Sequence, residues 1–471
     1  MLNELRIQNF KIWKDTGRIR LAPITIFFGT NSSGKSSIGQ FLMMLKQTVE
    51  SADRKAVLFP GENNSPVQLG SFNEMVFERN TENDIKFQYK WNMPESLTIK
   101  DPVTNNPYKG KSLLFESALE FRDKEKPALS VANFNYTLYN DEGIDLISIG
   151  MNIKDNKGNY SAECDKEKFK LVRQKGRPWD LGNPMRFYGF TDEFVAYHQN
   201  ADFVKGLNLH HENMFGSMFY LGPLRTKTER IYSWSGNEPE SVGYSGENTI
   251  AAILAARNRK INFGKNTRYK SFSEVIAKKL KEMNIIDDFK VKAIAEGRHE
   301  YEVKLKTKGS NSYVSLPDVG FGVSQVLPVI TQVFYAPKNS IIIMEQPEIH
   351  LHPSAQSALA DVMIDAVKAR ENNNDRNVQL IIETHSEHFL RRIQRRIADE
   401  TISKDDVAAY FADATQHPAK LIPLQIDLFG NIENWPKDFF GDEMTDIVEQ
   451  SKAALSRRKQ QILDAREDAN G

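Results

Sequence analysis

A single cysteine, Cys164, in 471 residues excludes a disulfide within the chain and a cysteine-rich zinc site, and it fits a reducing compartment. Net charge is lacking too. The 62 basic and 62 acidic residues cancel, so no global field draws the chain to DNA or an anionic membrane, and any such contact has to come from a local patch. No apolar run approaches the ~18 residues that a membrane crossing needs. Met1-Leu2-Asn3-Glu4 shows no basic leader ahead of an apolar targeting segment, and the expectation is a cytoplasmic protein without membrane contact. No heptad pattern is sustained through residues 75–315, which argues against a long coiled-coil arm. A nuclease cluster is missing as well: Asp405, Asp406 and Asp413 are scattered, and the stretch after residue 390 is short for an added catalytic domain.

What is present starts with Gly29-Thr30-Asn31-Ser32-Ser33-Gly34-Lys35-Ser36, directly after the apolar run at 24–28. Ile38, Phe41, Leu42 and Leu45 follow at helical spacing. This is a G-x-x-x-x-G-K-S phosphate-binding loop in its strand, loop, helix setting. Its glycines let backbone N–H groups turn inward around phosphates, and the helix behind adds its positive N-terminal end. Gly29, Asn31, Ser33, Gly34 and Ser37 are the cradle candidates. Lys35 is placed to reach the β- and γ-phosphates and Ser36 to ligate Mg²⁺.

Two more apolar runs end in chemistry. Residues 341–344 lead into Glu345-Gln346-Pro347-Glu348, and residues 378–382 lead into Glu383-Thr384-His385-Ser386. Ligands of parallel sheets sit beyond the carboxyl ends of the strands, so Glu345 is the candidate Mg²⁺-side carboxylate. His385, with a near-neutral titration range, is suited to sense or orient a γ-phosphate. Asp318-Val319-Gly320-Phe321-Gly322-Val323-Ser324-Gln325, ahead of an expected helix at 326–334, reads either as an ordinary Ser-capped buried helix or as a second anion site facing a neighbouring subunit's nucleotide.

Other clusters have competing readings. His350 and His352 share one face of an extended segment but have no third ligand at close spacing, so hydrogen bonding around the catalytic loop, or packing, competes with zinc. Arg391, Arg392, Arg395 and Arg396, and Lys278, Lys279 and Lys281, are solvated helix faces or contacts to DNA, RNA or an acidic protein.

The pattern along the chain predicts an α/β fold. Strands at 2–10 and 18–28, a helix at 37–50 and apolar strands at 341–344 and 378–382 with a helix at 353–369 make a parallel sheet covered on both faces. Short alternating runs from 73 to 175 predict an antiparallel sheet, helices are expected at 249–257 and 272–283, and a hairpin at 301–306 with 312–316. The expected division is 1–74 and 315–400 as two parts of an ATPase core, 75–314 as an inserted β-rich and helical lobe, and 401–471 as a small extension.

In its order of phosphate loop, G-x-G-x-S-Q segment, E-Q-P-E-x-H-L-H-P strand end and E-T-H-S-x-x-F, the chain resembles the ABC-type ATPases of the SMC/RecF and OLD-like group. It is most similar to bacterial members that lack the Toprim nuclease domain, many of them found in anti-phage defence. Tyr220-Leu221-Gly222-Pro223-Leu224-Arg225, Val242-Gly243, Gly246-Glu247, Trp435-Pro436 and Phe439-Phe440 look like that subgroup's insertion and tail. The resemblance implies an SMC/RecF-like P-loop ATPase head with a large insertion between the Walker A and signature motifs, taking ATP and Mg²⁺. It also implies a head-to-head dimer or higher oligomer, with a separate effector such as a nuclease or toxin.

Residue by residue, Lys35 and Ser36 match the Walker A lysine and Mg²⁺ serine, Glu345 the Walker B acid, Ser324 the signature serine and His385 the switch histidine. Gln68 is the candidate for the Q-loop glutamine that coordinates Mg²⁺ or water. One departure bears on mechanism: the usual catalytic glutamate is replaced by Gln346. An amide orients water but takes no proton, which predicts slow turnover. Glu348 is the other group in reach of that water.

Overall fold

The computed structural model describes residues 1–121, 129–155, 158–165, 167–176, 179–264, 267–436 and 448–458. At its centre is a six-stranded sheet in the order Met218–Leu221, Ile341–Glu345, Gln379–Glu383, Ile24–Gly29, Val407–Asp413, Lys420–Pro423. The first five strands are parallel and the last is antiparallel. Strands buried on both faces need apolar side chains at every position, and Ile341–Glu345 is buried throughout.

The two faces feed two cores. Ile341 and Ile343 join Phe41, Leu42 and Leu45 of the helix Lys35–Glu50. Ile342 and Met344 join Val326 and Ile330 of Phe321–Tyr335 and Leu359 of Pro353–Lys368. The period-two alternation of a strand thus sorts one isoleucine run between opposite layers of helices.

A second, eight-stranded antiparallel sheet runs in the order Trp13–Asp15, Leu2–Phe10, Ile85–Lys100, Pro107–Phe121, Leu129–Tyr139, Asp145–Ile153, Tyr160–Cys164, with Ile19–Arg20 also paired to Leu2–Phe10. Strand pairing therefore crosses residue 74: Leu5 faces Tyr89 and Ile7 faces Phe87. Met218–Leu221, within 75–314, pairs with the central strand Ile341–Glu345. The antiparallel sheet is capped by the helix Val204–Gly216, whose His211 is fully buried. Its ring nitrogens lie 2.9 Å from the Tyr89 hydroxyl and 2.8 Å from the Tyr136 hydroxyl.

Several expected boundaries move. The helix behind the phosphate loop starts at Lys35 rather than at 37. The helix expected at 326–334 spans Phe321–Tyr335, so Ser324 sits in its first turn instead of ahead of it. Internal Pro328 has no N–H to close a helical bond and argues in sequence for a later start; here it is accommodated where Gly246 approaches its ring, a site where a Cβ would lie 2.7 Å from Pro328 Cβ. The hairpin at 301–306 and 312–316 forms between Glu300–Thr307 and Tyr313–Ser315, and Ile286–Ala293 adds a strand that the sequence reading did not separate. Among the described residues no helix is long and apolar enough to cross a membrane. Phe439-Phe440 lies outside the described residues.

Candidate active site

The strand Ile24–Gly29 delivers the phosphate loop to the carboxyl end of the central sheet, and the loop's backbone explains its sequence. Gly29, Ser32 and Gly34 all have positive φ, at 146°, 60° and 86°. A Cβ on Gly34 would lie 2.4 Å from Ile12 Cδ1, and one on Gly29 2.6 Å from the Ala412 carbonyl oxygen. Only glycine meets both demands. The Lys35 ammonium is buried and folds back onto its own loop, donating to the carbonyls of Gly29 at 3.1 Å and Thr30 at 2.7 Å, with Ser33 Oγ at 3.4 Å. Burial lowers its pKa, and the nearby Glu383 and Glu348 oppose that shift. Ser37 is engaged elsewhere: its hydroxyl accepts from Trp13 Nε1 at 2.8 Å and donates to the Gly34 carbonyl.

Register brings the acids together. Glu345 and Glu383 end adjacent parallel strands and lie directly opposite each other. Both are buried, as is Glu348. Burial pushes Glu345 up to about 7, assisted by the negative charge of Glu383 and opposed by the Tyr220 hydrogen bond and Arg225. Burial raises Glu383 too, against the opposing hydrogen bond from Ser36 and the charge of Lys35. In Glu348, Oε1 accepts the His385 N–H at 2.8 Å, while Oε2 has no partner, and neither has Oε2 of Glu383. Buried carboxylates with free oxygens need a cation to stay ionised. The donor set of Ser36, Glu345 and Glu383 is of the hard oxygen type that Mg²⁺ takes, so the residues fit that ion.

The other expected residues divide. The His385 ring bonds to the Gly29 carbonyl, and burial together with Lys35 lowers its pKa. Gln346 adopts φ 44° and anchors its N–H on the Glu383 carbonyl at 2.8 Å. Asn31 and Gln68 are exposed, and neither joins the hydrogen-bonded group around Lys35 and the acids. Ser324 donates to the Phe321 carbonyl at 2.6 Å and lines a cavity of about 190 Å³ with Thr226, Lys227, Gly246 and Pro328. His352 caps its helix by accepting the Ser354 N–H at 3.3 Å, and His350 sits edge-on to Phe321 with ring centroids 4.9 Å apart.

Glu383, Tyr220 and Arg225 belong to this group of residues, and the sequence reading gave them no chemical role. Glu383 had a usable signal, since it ends an apolar strand just as Glu345 does. The basic clusters are largely neutralised internally. Arg392 and Arg396 pair with Asp361, Arg396 also with Asp399, and Lys279 with Asp365 and Glu282.

A phosphate loop on a parallel sheet, backed by acids at the ends of neighbouring strands, defines a P-loop ATPase domain of mixed α/β type. The chain belongs to the AAA ATPase domain family, whose model matches residues 1–200 and 245–390. Residues 402–450 match a second family, described as a protein of unknown function (DUF3696). No curated protein matches the chain. Among solved structures it is similar to an SMC head bound to the C-winged helix domain of ScpA, at 9% identity and a TM-score of 0.42, over 90% of this chain and 98% of that one. It is also similar to the SMC head domain from Thermotoga maritima, at 10% identity and 0.39, over 90% and 99%. A third is the Smc head domain from Pyrococcus furiosus with an extended coiled coil, bound to the C-terminal domain of ScpA, at 10% and 0.37, over 96% and 99%.

Proposed function

We propose that this ATPase binds ATP with Mg²⁺, hydrolyses it slowly, and acts as the ATP-sensing scaffold of an anti-phage defence system that controls a separate nuclease or toxin. The observation that carries the catalytic part is the group formed by Lys35, Ser36, Glu383, Glu345 and Glu348: a loop cation held by its own carbonyls and acted on by the buried Glu383 and Glu348, each with an unpartnered oxygen, with Glu345 directly opposite Glu383.

In this reading Lys35 exchanges its loop carbonyls for the terminal phosphate oxygens, and Ser36 turns from Glu383 toward the metal. Ser36, Glu345 and Gln68 would hold Mg²⁺, which would supply positive charge to the phosphate oxygens and to the Glu345–Glu383 pair. His385, held to the loop at Gly29, orients on the γ-phosphate. Gln346 positions the attacking water by hydrogen bonding without accepting its proton, which keeps turnover slow.

Self-association follows from Ser324. It stands on an outer surface beside Phe321, which is 60% exposed, and near the loop carrying Leu224, which is 81% exposed. Exposed apolar side chains on this side suit an interface, and Ser324 of one protomer is assigned to the nucleotide of its partner. The link to a defence effector rests on the motif resemblance, and location in the cytoplasm accompanies it.

The test combines light scattering with co-purification. With Mg²⁺ and a non-hydrolysable ATP analogue the protein is expected to dimerise or assemble further, Ser324→Ala to stay monomeric, and a nuclease-like product of an adjacent gene to co-purify in one nucleotide state only. Tight ATP-dependent binding of duplex DNA, with no effector retained in either state, would replace the defence reading with DNA maintenance.

A further inference from the structure

Arg225 holds its Nε, Nη1 and Nη2 buried, and none of the three has a hydrogen-bond partner. Other buried arginines of this chain behave differently. Arg376 donates to the carbonyls of Val333 at 3.0 Å and Ala336 at 2.6 Å, and Arg186 donates to those of Val49 and Ser51. Those two guanidinium groups staple backbone. Arg225 staples nothing, and a buried guanidinium whose N–H groups lack acceptors is costly unless a ligand supplies them.

Its position is fixed by the fold. Met218–Leu221 runs parallel to Ile341–Glu345, and Tyr220 reaches Glu345 with its hydroxyl. The chain then passes the carboxyl end of the sheet, where the phosphate loop also lies. On either side of Arg225 the loop is pinned to a neighbouring segment, Gly222 N–H to the Tyr244 carbonyl and Thr226 N–H to the Ser245 carbonyl, both at 2.8 Å. Burial pulls Arg225 down to about 10, and Tyr220, Glu345 and Glu348 act on it in the opposite direction. Glu348 also acts on Lys35, so the same acid acts on both cations. Residues 201–244, which contain this loop, fall between the two stretches matched by the ATPase family model.

We infer that Arg225 is a substrate-contacting residue that binds the terminal phosphoryl oxygens of the ATP held by Lys35 in the same chain. The inference rests on the proposed ATP site. A guanidinium fork offers two parallel donors to a phosphoryl group, a geometry that one ammonium cannot supply. During hydrolysis the water oxygen bonds to the γ-phosphorus, and the bond to the bridging oxygen breaks with its electron pair passing to ADP. The water proton goes to the released phosphate. Arg225 neutralises charge on the equatorial oxygens through that change.

The experiment measures calorimetric affinity for ADP and for a non-hydrolysable ATP analogue, both with Mg²⁺, in the wild-type chain, Arg225→Met, Arg225→Lys and Lys35→Ala, with melting curves in the absence of nucleotide. Arg225→Met is expected to melt no lower than wild type, because no hydrogen bond is lost. It should keep wild-type ADP affinity and lose affinity for the ATP analogue by about tenfold or more, with Arg225→Lys in between. An unchanged preference for the ATP analogue over ADP overturns the inference. So does a marked drop in the melting temperature of Arg225→Met, which would make Arg225 a structural cation. Wild-type affinities in Lys35→Ala would instead sink the ATP-site reading itself.

Discussion

The Tyr220 hydroxyl donates a 2.7 Å hydrogen bond to Oε1 of Glu345, across 125 residues of sequence. The bond ties the edge strand of the central sheet to the acid assigned to the metal. It also favours the ionised carboxylate, since it opposes the burial that pushes Glu345 up to about 7. Tyr220→Phe removes that donor and leaves packing in place. Hydrogen bonds to charged groups contribute about 1.5–3 kcal/mol, so ATP turnover is expected to fall by about tenfold. Because the lost bond had held the carboxyl down, its pKa rises, and the acid limb of the pH–rate profile moves to higher pH. Steady-state rates between pH 5.5 and 8.5 check both; an unmoved acid limb would mean that Glu345 does not govern it.

Gln346 is half-buried where Glu345 is fully buried, so a carboxylate at this position keeps part of its hydration and remains ionised. Gln346→Glu restores a proton acceptor at the usual place of the catalytic base. Turnover is expected to rise by about tenfold with the affinity for ATP little changed. A lower rate with intact binding would show that the water is already activated elsewhere, with the free Oε2 of Glu348 as the first candidate.

His211 gives stability a pH dependence. Burial holds its pKa well below the ordinary histidine value of about 6.5, so at mildly acid pH the unfolded chain takes a proton that the folded chain refuses. The folded state therefore loses stability as pH falls below about 6.5, by up to about 1.4 kcal/mol per pH unit from this group. Buried glutamates with raised pKa act with the opposite sign, so the group is isolated by comparison with a non-titrating variant. The stability gap between wild type and His211→Gln, from urea unfolding at pH 7.5 and 5.5, is expected to shrink at the lower pH. An equal gap at both values would contradict the assignment.

Much of the catalytic half was legible because its residues are local. The phosphate loop is contiguous, and the runs 341–344 and 378–382 name their own strand ends, next to which Lys35, Ser36, Glu345 and His385 stand in the sequence. Strand pairing was harder to read. That Leu2–Phe10 joins Ile85–Lys100, and Met218–Leu221 joins Ile341–Glu345, depends on register between segments tens to more than a hundred residues apart. No local period encodes such pairing. Tyr220 and Arg225 were visible as a motif, yet only that pairing carries them to the acids. The ion pairs of the basic helix were hidden for a similar reason: Asp361, which neutralises Arg392 and Arg396, comes from a different helix.

The central claim is that Lys35, together with Glu345, Glu348 and Glu383 at the end of the central sheet, forms an ATP-hydrolysing site. Its most direct test is the rate of Mg²⁺-dependent phosphate release by purified wild-type protein and by Lys35→Ala at saturating ATP. A slow but measurable wild-type rate that Lys35→Ala reduces to background is the expected result; equal rates for the two proteins would contradict it.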